Sequence, residues 1–314
     1  MSDHGTTHTP LAAISPLPRT DGWRQDGRLY AILAAGGFSL KAVFVKLAYA
    51  AGPVDALTLL AMRMLLALPL FAWLAFSAPR GSQPLDRRTL LQIALLACIG
   101  YYLSSLYDFI GLTYISTGLE RLILYVYPTL VLLFGAWLQR RKPPARLWRA
   151  LAICYAGLLL AFGHDLRQPG DGSDVLIGGL WIFAAALMYA LYMLGVGELI
   201  PRVGSLRLTG LAGMASALWV LAHWAAFGEP AALFIQPAGV WYNALLMALF
   251  STVLPIWWLA QAIQRLGPGP AATAGSIGPV LTLAAAWLLL GEAVSPLQLA
   301  GMALVMVGVA RIRH

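Results

Sequence analysis

Charge is scarce in this 314-residue chain: only 11% of its residues are Asp, Glu, Lys or Arg, whereas 60% are hydrophobic. That is far too little polar side chain to clothe a soluble globule, and the mean hydropathy of +0.75 agrees. Cysteine is nearly missing. The two present, Cys98 and Cys154, fall inside apolar runs, which excludes a disulfide framework and any cysteine-based metal site. The apolar part of the chain has no His-x-x-x-His, G-x-S-x-G, acidic pair or phosphate-cradling glycine loop, and the one His-x-x-x-His, His4 to His8, lies in the polar N-terminal stretch, so no catalytic constellation, metal site or cofactor is expected. His164 and His223 could titrate in a proton relay, but each stands without a second His or an intraspan Glu beside it and reads as structural.

What the chain has in abundance is long apolar runs. A bilayer core needs about 20 apolar residues per helix, and ten runs qualify: Leu29–Ala50, Val54–Ser77, Thr89–Leu112, Thr117–Leu138, Leu147–Gly163, Leu176–Gly197, Ser205–Phe227, Val240–Ile263, Pro270–Leu290 and Pro296–Ala310. The expected fold is an all-α membrane protein of ten transmembrane helices. Residues 1–27 are polar and are expected to form a disordered tail, not a cleaved signal peptide.

A formal net charge of +8 would by itself suggest a nucleic-acid partner, but its distribution argues otherwise. The loops on one side hold Arg80, Arg87, Arg88, Arg140, Arg141, Lys142, Arg202 and Arg265 among others; the loops on the other side hold only Arg167. This bias places both termini in the cytoplasm of a bacterial inner membrane.

Gly118 to Leu138 and Gly269 to Leu289 read as two copies of one element. At an offset of 151 residues Gly118 falls on Gly269, Pro128 on Pro279 and Leu138 on Leu289, without a gap. The same offset aligns Trp73 with Trp224 and Gly157 with Gly308. Residues 28–163 therefore form a first five-helix repeat and 178–314 a second, joined by a linker at 164–177 on the outer face. Five is odd, so the second copy enters from the opposite side and the repeats are inverted, the usual construction of secondary transporters with a midplane site.

This plan resembles the EamA-type branch of the drug/metabolite transporter superfamily. The likeness is carried by the small-residue helix with its central proline, the ending Trp287 to Glu292 (WLLLGE), and the P-x-Q-x-x-G opening of span 10 at Pro296 to Gly301. The nearest look is to bacterial amino-acid exporters of the YddG kind. The resemblance implies a cavity formed mainly by spans 1, 3, 4, 6, 8 and 9 and export of small metabolites. One departure is that the first repeat ends in LQRR instead of LLGE.

Three sets of residues are candidates for function. Pro128 and Pro279 are expected to kink their spans as hinges, freeing the carbonyls of Leu124 and Gly275; the bland reading is packing kinks. Charges inside spans are costly and hence informative. Lys46, Asp108, Glu120 and Arg121 lie within roughly 6 Å of the outer boundary and Arg63 roughly 12 Å deep, at about 1.5 Å per residue. With Asp55 they make three acids against three bases, either an outer gate or a structural ion-pair network; Lys41, deepest in span 1, has no evident partner. The cavity-lining candidates are Ser39, Tyr101, Ser104, Ser105, Tyr125, Tyr189, Tyr192, Ser251, Trp258 and Ser276, several at helical i, i+3, i+4 spacing; interfacial aromatics and close-packing serines are the alternative. The small residues of spans 5 and 10 suit close packing at a periphery or a homodimer contact.

The resulting expectation is an exporter of amino acids or similar small metabolites working by alternating access. The alternatives are a multidrug exporter of hydrophobic cations and, at lower weight, a channel or a phosphate or nucleotide-sugar exchanger. The expected partners are a small-molecule substrate and the lipid bilayer.

Overall fold

Apolar residues on every side of a segment, with no polar stripe, make a helix that is buried or faces lipid throughout, and the structure consists of such segments. The computed structural model describes residues 27–77, 85–138, 140, 145–165, 172–266 and 277–313; among them there is no strand. Residues 1–26 of the expected tail and 166–171 of the expected linker lie outside the described residues.

Among the described residues, seven helical stretches are long and apolar enough to cross a bilayer, and three shorter apolar helices, Leu151–Ala161, Gly278–Leu290 and Pro296–Gly308, stand where spans 5, 9 and 10 are expected. Span 1 is split into α1 (Gly27–Ser39) and α2 (Lys41–Ala51). Span 2 is α3 (Ala56–Ser77). Span 3 is α4 (Arg87–Ala97), a π-helical turn Cys98–Leu103, and α5 (Ser104–Tyr114). Span 4 is α6 (Thr117–Leu124) and α7 (Tyr127–Leu138), and span 5 is α8 (Ala145–Asp165). Spans 6 and 7 are α9 (Gly172–Val203) and α10 (Ser205–Phe227), followed by the short α11 (Pro230–Phe234). Span 8 is α12 (Ala238–Ala248), a π-helical turn Leu249–Val253, and α13 (Leu254–Leu266). Span 9 contributes α14 (Gly278–Ala285) and a π-helical turn Ala286–Leu290, and span 10 is α15 (Pro296–Arg313).

The 151-residue offset is written into these boundaries. Arg87–Ala97 and Ala238–Ala248 are both 11 residues long and both run into a π turn, at Cys98 and at Leu249. Tyr127 and Gly278 begin equivalent helices, as do Ala145 and Pro296. Packing follows the same interchange: α3 lies on α10 and α8 on α15, each helix against its own counterpart, while α1 lies on α13 as α9 lies on α5.

The α8–α15 crossing shows why glycine is needed there. A β-carbon on Gly157 would sit 2.5 Å from the Gly301 carbonyl oxygen, and one on Gly301 would sit 2.6 Å from that of Gly157. These small residues, expected at a periphery or between two copies, are used against each other within one chain. Trp73, Phe76, Trp137 and Phe227 point outward and exposed, as lipid-facing side chains do.

The prolines differ from the expectation. α6 ends at Leu124 and a turn at Tyr125 and Val126 succeeds it, so Pro128 is the second residue of a new helix; Pro279 likewise is second in α14. There the missing N–H is one that no helix would have used and the fixed φ suits the first turn. Pro128 starts a helix instead of kinking a continuous one, and Pro279 stands in the first turn of α14, the chain before Ile277 lying outside the described residues. Among the described residues, the prolines inside continuous helical stretches are Pro69 in α3, Pro201 in α9 and Pro255 just after the π turn of span 8.

Candidate functional site

The site begins with the break in span 1. At Leu40 the chain leaves regular helix, and the carbonyls of the two residues before it accept bonds from other spans. Arg121, on α6, donates to the Phe38 carbonyl at 2.7 Å and to Thr282 Oγ1 at 2.8 Å. Thr282, on α14, lies 3.3 Å from the Ser39 carbonyl and 3.1 Å from that of Gly278. Ser39 donates to the carbonyls of Ala35 at 2.7 Å and Gly278 at 2.9 Å. At the start of span 4 and the end of span 9, Glu292 accepts from the Thr117 hydroxyl at 2.8 Å and the Thr117 amide at 3.2 Å. Spans 1 and 4 of the first copy are thus tied to span 9 of the second by charged and hydroxyl groups. A small pocket opens along the same seam, lined by Gly118, Arg121, Leu122, Pro279, Leu283, Gln298 and Met302.

Beside this seam lies a group of opposed charges. Lys41, the first residue of α2, places Nζ 2.7 Å from Asp108 Oδ2 on α5 and 3.6 Å from Glu120 Oε1 on α6. Asp108 is 1% exposed and Glu120 0%, so both carboxylates are buried. Arg63, 3% exposed, donates to Ser105 Oγ at 3.1 Å and lies 4.9 Å from the centre of the Phe109 ring, a cation–π contact. Tyr49 donates to the Phe109 carbonyl at 2.8 Å.

Of the charged residues expected to act together, Arg63, Asp108, Glu120 and Arg121 are brought to this one region; Lys46 makes no ion pair among the described residues. Asp55 is not part of the group, because its Oδ1 caps α3 by accepting from the amides of Leu57 and Thr58, both at 2.9 Å. Lys41 is the hub in place of Lys46. The two are five residues apart, which turns them away from each other on a helix of 3.6 residues per turn.

The aromatic candidates gather where the π turn of span 3 packs on α9. Tyr101 and Tyr192 stand 4.9 Å apart, Tyr189 and Tyr192 6.0 Å, and Tyr189 meets Tyr127 edge-on at 4.9 Å. Tyr127 was not a candidate from sequence; the α6–α7 break turns it toward span 6. Tyr101 and Ser251 lie in the equivalent π turns of spans 3 and 8. A π turn carries one residue more than an α turn and re-aims the remainder of its span, a device common at functional sites.

The serines are spent on backbone or on arginine. Ser104 donates to the Ala185 carbonyl on α9 at 3.0 Å, Ser105 accepts from Arg63, and Ser251 donates to the Met247 carbonyl of its own span at 3.0 Å. Tyr125 is buried in the α6–α7 turn, and Trp258 is half-buried on α13. Ser276 lies outside the described residues. His223 has a tyrosine for a partner, its Nδ1 lying 2.7 Å from the Tyr102 hydroxyl.

No group of His, Cys, Asp and Glu among the described residues could hold a metal ion. The chemistry available is reversible binding by charge, hydroxyl and aromatic surface. Comparison with known proteins agrees with that character. The model of the EamA-like transporter family matches twice, over residues 26–163 and 176–313. The uncharacterized transporter YcbK of Bacillus subtilis is 31% identical over 283 residues, covering 88% of each chain. A Chlamydia muridarum protein named as an S-adenosylmethionine/S-adenosylhomocysteine transporter is 26% identical over 270 residues, covering 80% of this chain and 81% of its own. A protein of known crystal structure superposes with a TM-score of 0.61 at 19% identity, over 91% of this chain and 96% of that one, a likeness of fold.

Proposed function

This chain belongs to the EamA-like transporter family, and on that premise we propose that it is a ten-span bacterial inner-membrane exporter of amino acids or similar small zwitterions. Both termini lie in the cytoplasm and the two five-helix copies are inverted, so that rocking one bundle against the other exposes a midplane site to either face in turn. The work of such a protein is movement across the bilayer, not catalysis. Rocking turns about the Leu40 break, the α6–α7 turn and the start of α14, where Pro128 and Pro279 stand.

One observation carries the substrate reading. Lys41, Asp108, Glu120 and Arg121 bring both signs of charge together in a buried place, at a seam whose opposite wall, Gly278 and Thr282, belongs to the second copy. A zwitterion needs both signs within a few ångströms; a hydrophobic cation needs only one. Tyr101, Tyr127, Tyr189 and Tyr192 add apolar surface with hydroxyl tips, the usual lining of a small-molecule site. S-adenosylmethionine and S-adenosylhomocysteine, the named substrates of the Chlamydia relative, both end in an α-amino-acid group, which fits the same recognition. A phosphate or nucleotide-sugar exchanger would hold arginines and lysines free for an anion, whereas Arg63 and Arg121 here are engaged by neighbours.

The test is counterflow in liposomes reconstituted with the purified protein, using radiolabelled amino acids and hydrophobic cations. Saturable amino-acid exchange is expected, lowered about tenfold by Tyr192→Ala, the effect of losing roughly 1.4 kcal/mol of binding. Saturable cation flux without amino-acid flux would select the multidrug reading. Flux that never saturates would select a channel.

A further inference from the structure

Asp108 and Glu120 are buried together without hydrogen-bond donors of their own. They come from different helices, α5 and α6, yet meet at one ammonium, Lys41 Nζ. None of their four carboxylate oxygens accepts a hydrogen bond from a described residue. The ammonium stands 2.7 Å from Asp108 Oδ2, at ion-pair distance but off the angle of a hydrogen bond.

The other charged or titratable groups around the pair have partners of their own, Arg63 Nε alone of the arginine nitrogens being buried without one among the described residues. Arg121 is bonded to Phe38 and Thr282, Arg63 to Ser105 and the face of Phe109, and the Tyr49 hydroxyl to the Phe109 carbonyl. Asp55 caps α3, Glu292 is bonded to Thr117, and Lys46 makes no ion pair with either acid. An ionised carboxylate buried without donors is strongly disfavoured, and Asp108 and Glu120 share one ammonium at ion-pair distance, while Arg63 and Arg121 give their hydrogen bonds to neutral oxygens instead. A single proton on one of the two carboxylates supplies the missing donor.

We propose that Asp108 and Glu120 together form a proton-binding site, that the proton is the coupling ion of transport, and that Lys41 relays its presence to the seam. The chemistry is association alone: a proton from water on one side adds to a carboxylate oxygen and later leaves to water on the other. With the proton on, Lys41 is held by one carboxylate instead of two. Lys41 begins α2 immediately after the Leu40 break, and the carbonyls just before that break are the ones gripped by Arg121 and Thr282. Loosening Lys41 therefore loosens α2 against α1 and with it the ties between the two copies. The site stands on its own geometry; its coupling to cargo rests on the transporter reading above.

Two measurements on the full-length protein in liposomes test this. Infrared pH-difference spectra need no substrate. The wild type is expected to show the carbonyl stretch of a protonated carboxylic acid, kept in Glu229→Gln and lost in both Glu120→Gln and Asp108→Asn, because a single remaining carboxylate pairs with Lys41 and stays ionised. No such band in the wild type, or its survival in either acid variant, overturns the shared proton.

The second measurement compares amino-acid counterflow at equal pH with accumulation driven by an imposed pH gradient. The wild type is expected to accumulate substrate several-fold above its level without a gradient. In Glu120→Gln, whose carboxylate also faces the proposed substrate site, whatever counterflow remains should not respond to the gradient. No gradient-driven accumulation in the wild type, or accumulation retained in Glu120→Gln, overturns the coupling role. If no amino acid exchanges even in wild-type counterflow, the substrate reading fails, and the infrared result still decides the proton site.

Discussion

Lys41 shows what one side chain costs in a membrane interior. Its ammonium is the sole cation at ion-pair distance from Asp108 and Glu120 among the described residues, and removing one partner of a buried ion pair typically costs about 3–5 kcal/mol. Lys41→Met is therefore expected to lower the thermal stability of the detergent-solubilised protein by that order. Adding Asp108→Asn should recover much of the loss; a double-mutant cycle measures the coupling. Arg121 is a different case, since its fork serves a carbonyl and a hydroxyl at once. Arg121→Lys retains the charge but not the planar fork, and hydrogen bonds to a charged group are worth about 1.5–3 kcal/mol each. A melting curve for Arg121→Lys should lie well below that of the wild type and close to that of Arg121→Ala.

Most of these residues are legible as unusual from the sequence, because a charge or a hydroxyl within an apolar run is visible in the chain itself. Their partners are not. Lys41 and Lys46 look alike in sequence, and only the direction of α2 after the Leu40 break decides which of them meets Asp108. Glu292 stands out as part of a family ending, with nothing to tie it to Thr117, which is 175 residues away.

At the scale of elements, the breaks matter more than the helices. Among the described residues three spans contain a π turn and two are interrupted outright, at Leu40 and at Tyr125–Val126. Hydropathy averages over such features, because one extra residue in a turn does not change an apolar run. Deleting Ile99 from the π turn of span 3 should restore regular α-helix and rotate the rest of the span by about 100°, carrying Ser104 and Asp108 off their partners. The expected result is loss of transport in a protein that still purifies as a single species. The glycine crossing makes the complementary prediction. Gly157→Leu should prevent α8 from reaching α15, because the Gly301 backbone has no side chain that can move aside, and the variant should aggregate or melt far below the wild type, destabilised by about 1–3 kcal/mol or more.

At the scale of the whole molecule, the two copies meet along equivalent surfaces, and the ties between spans 1, 4 and 9 hold one end of that meeting closed. Alternating access requires those ties to open. In a background with Cys98 and Cys154 replaced by alanine, cysteines at Thr117 and Glu292 joined by a short bifunctional reagent should arrest counterflow, and cleaving the linkage should restore it. Transport that continues at the wild-type rate with the linkage complete would contradict opening at this seam.

The chain by itself determined that this is a helical membrane protein built twice over, because hydrophobic runs and a 151-residue repeat are local or additive properties that need no partner to be read. It also marked the residues whose burial would be costly. Tertiary structure alone decided that Lys41 and not Lys46 faces two acids, that Pro128 starts a helix, that the small residues of spans 5 and 10 meet each other, and that Arg121 reaches the second copy. Each of these depends on how breaks in the helices rotate side chains about their axes, and a rotation of part of a turn leaves no trace in a pattern of apolar residues.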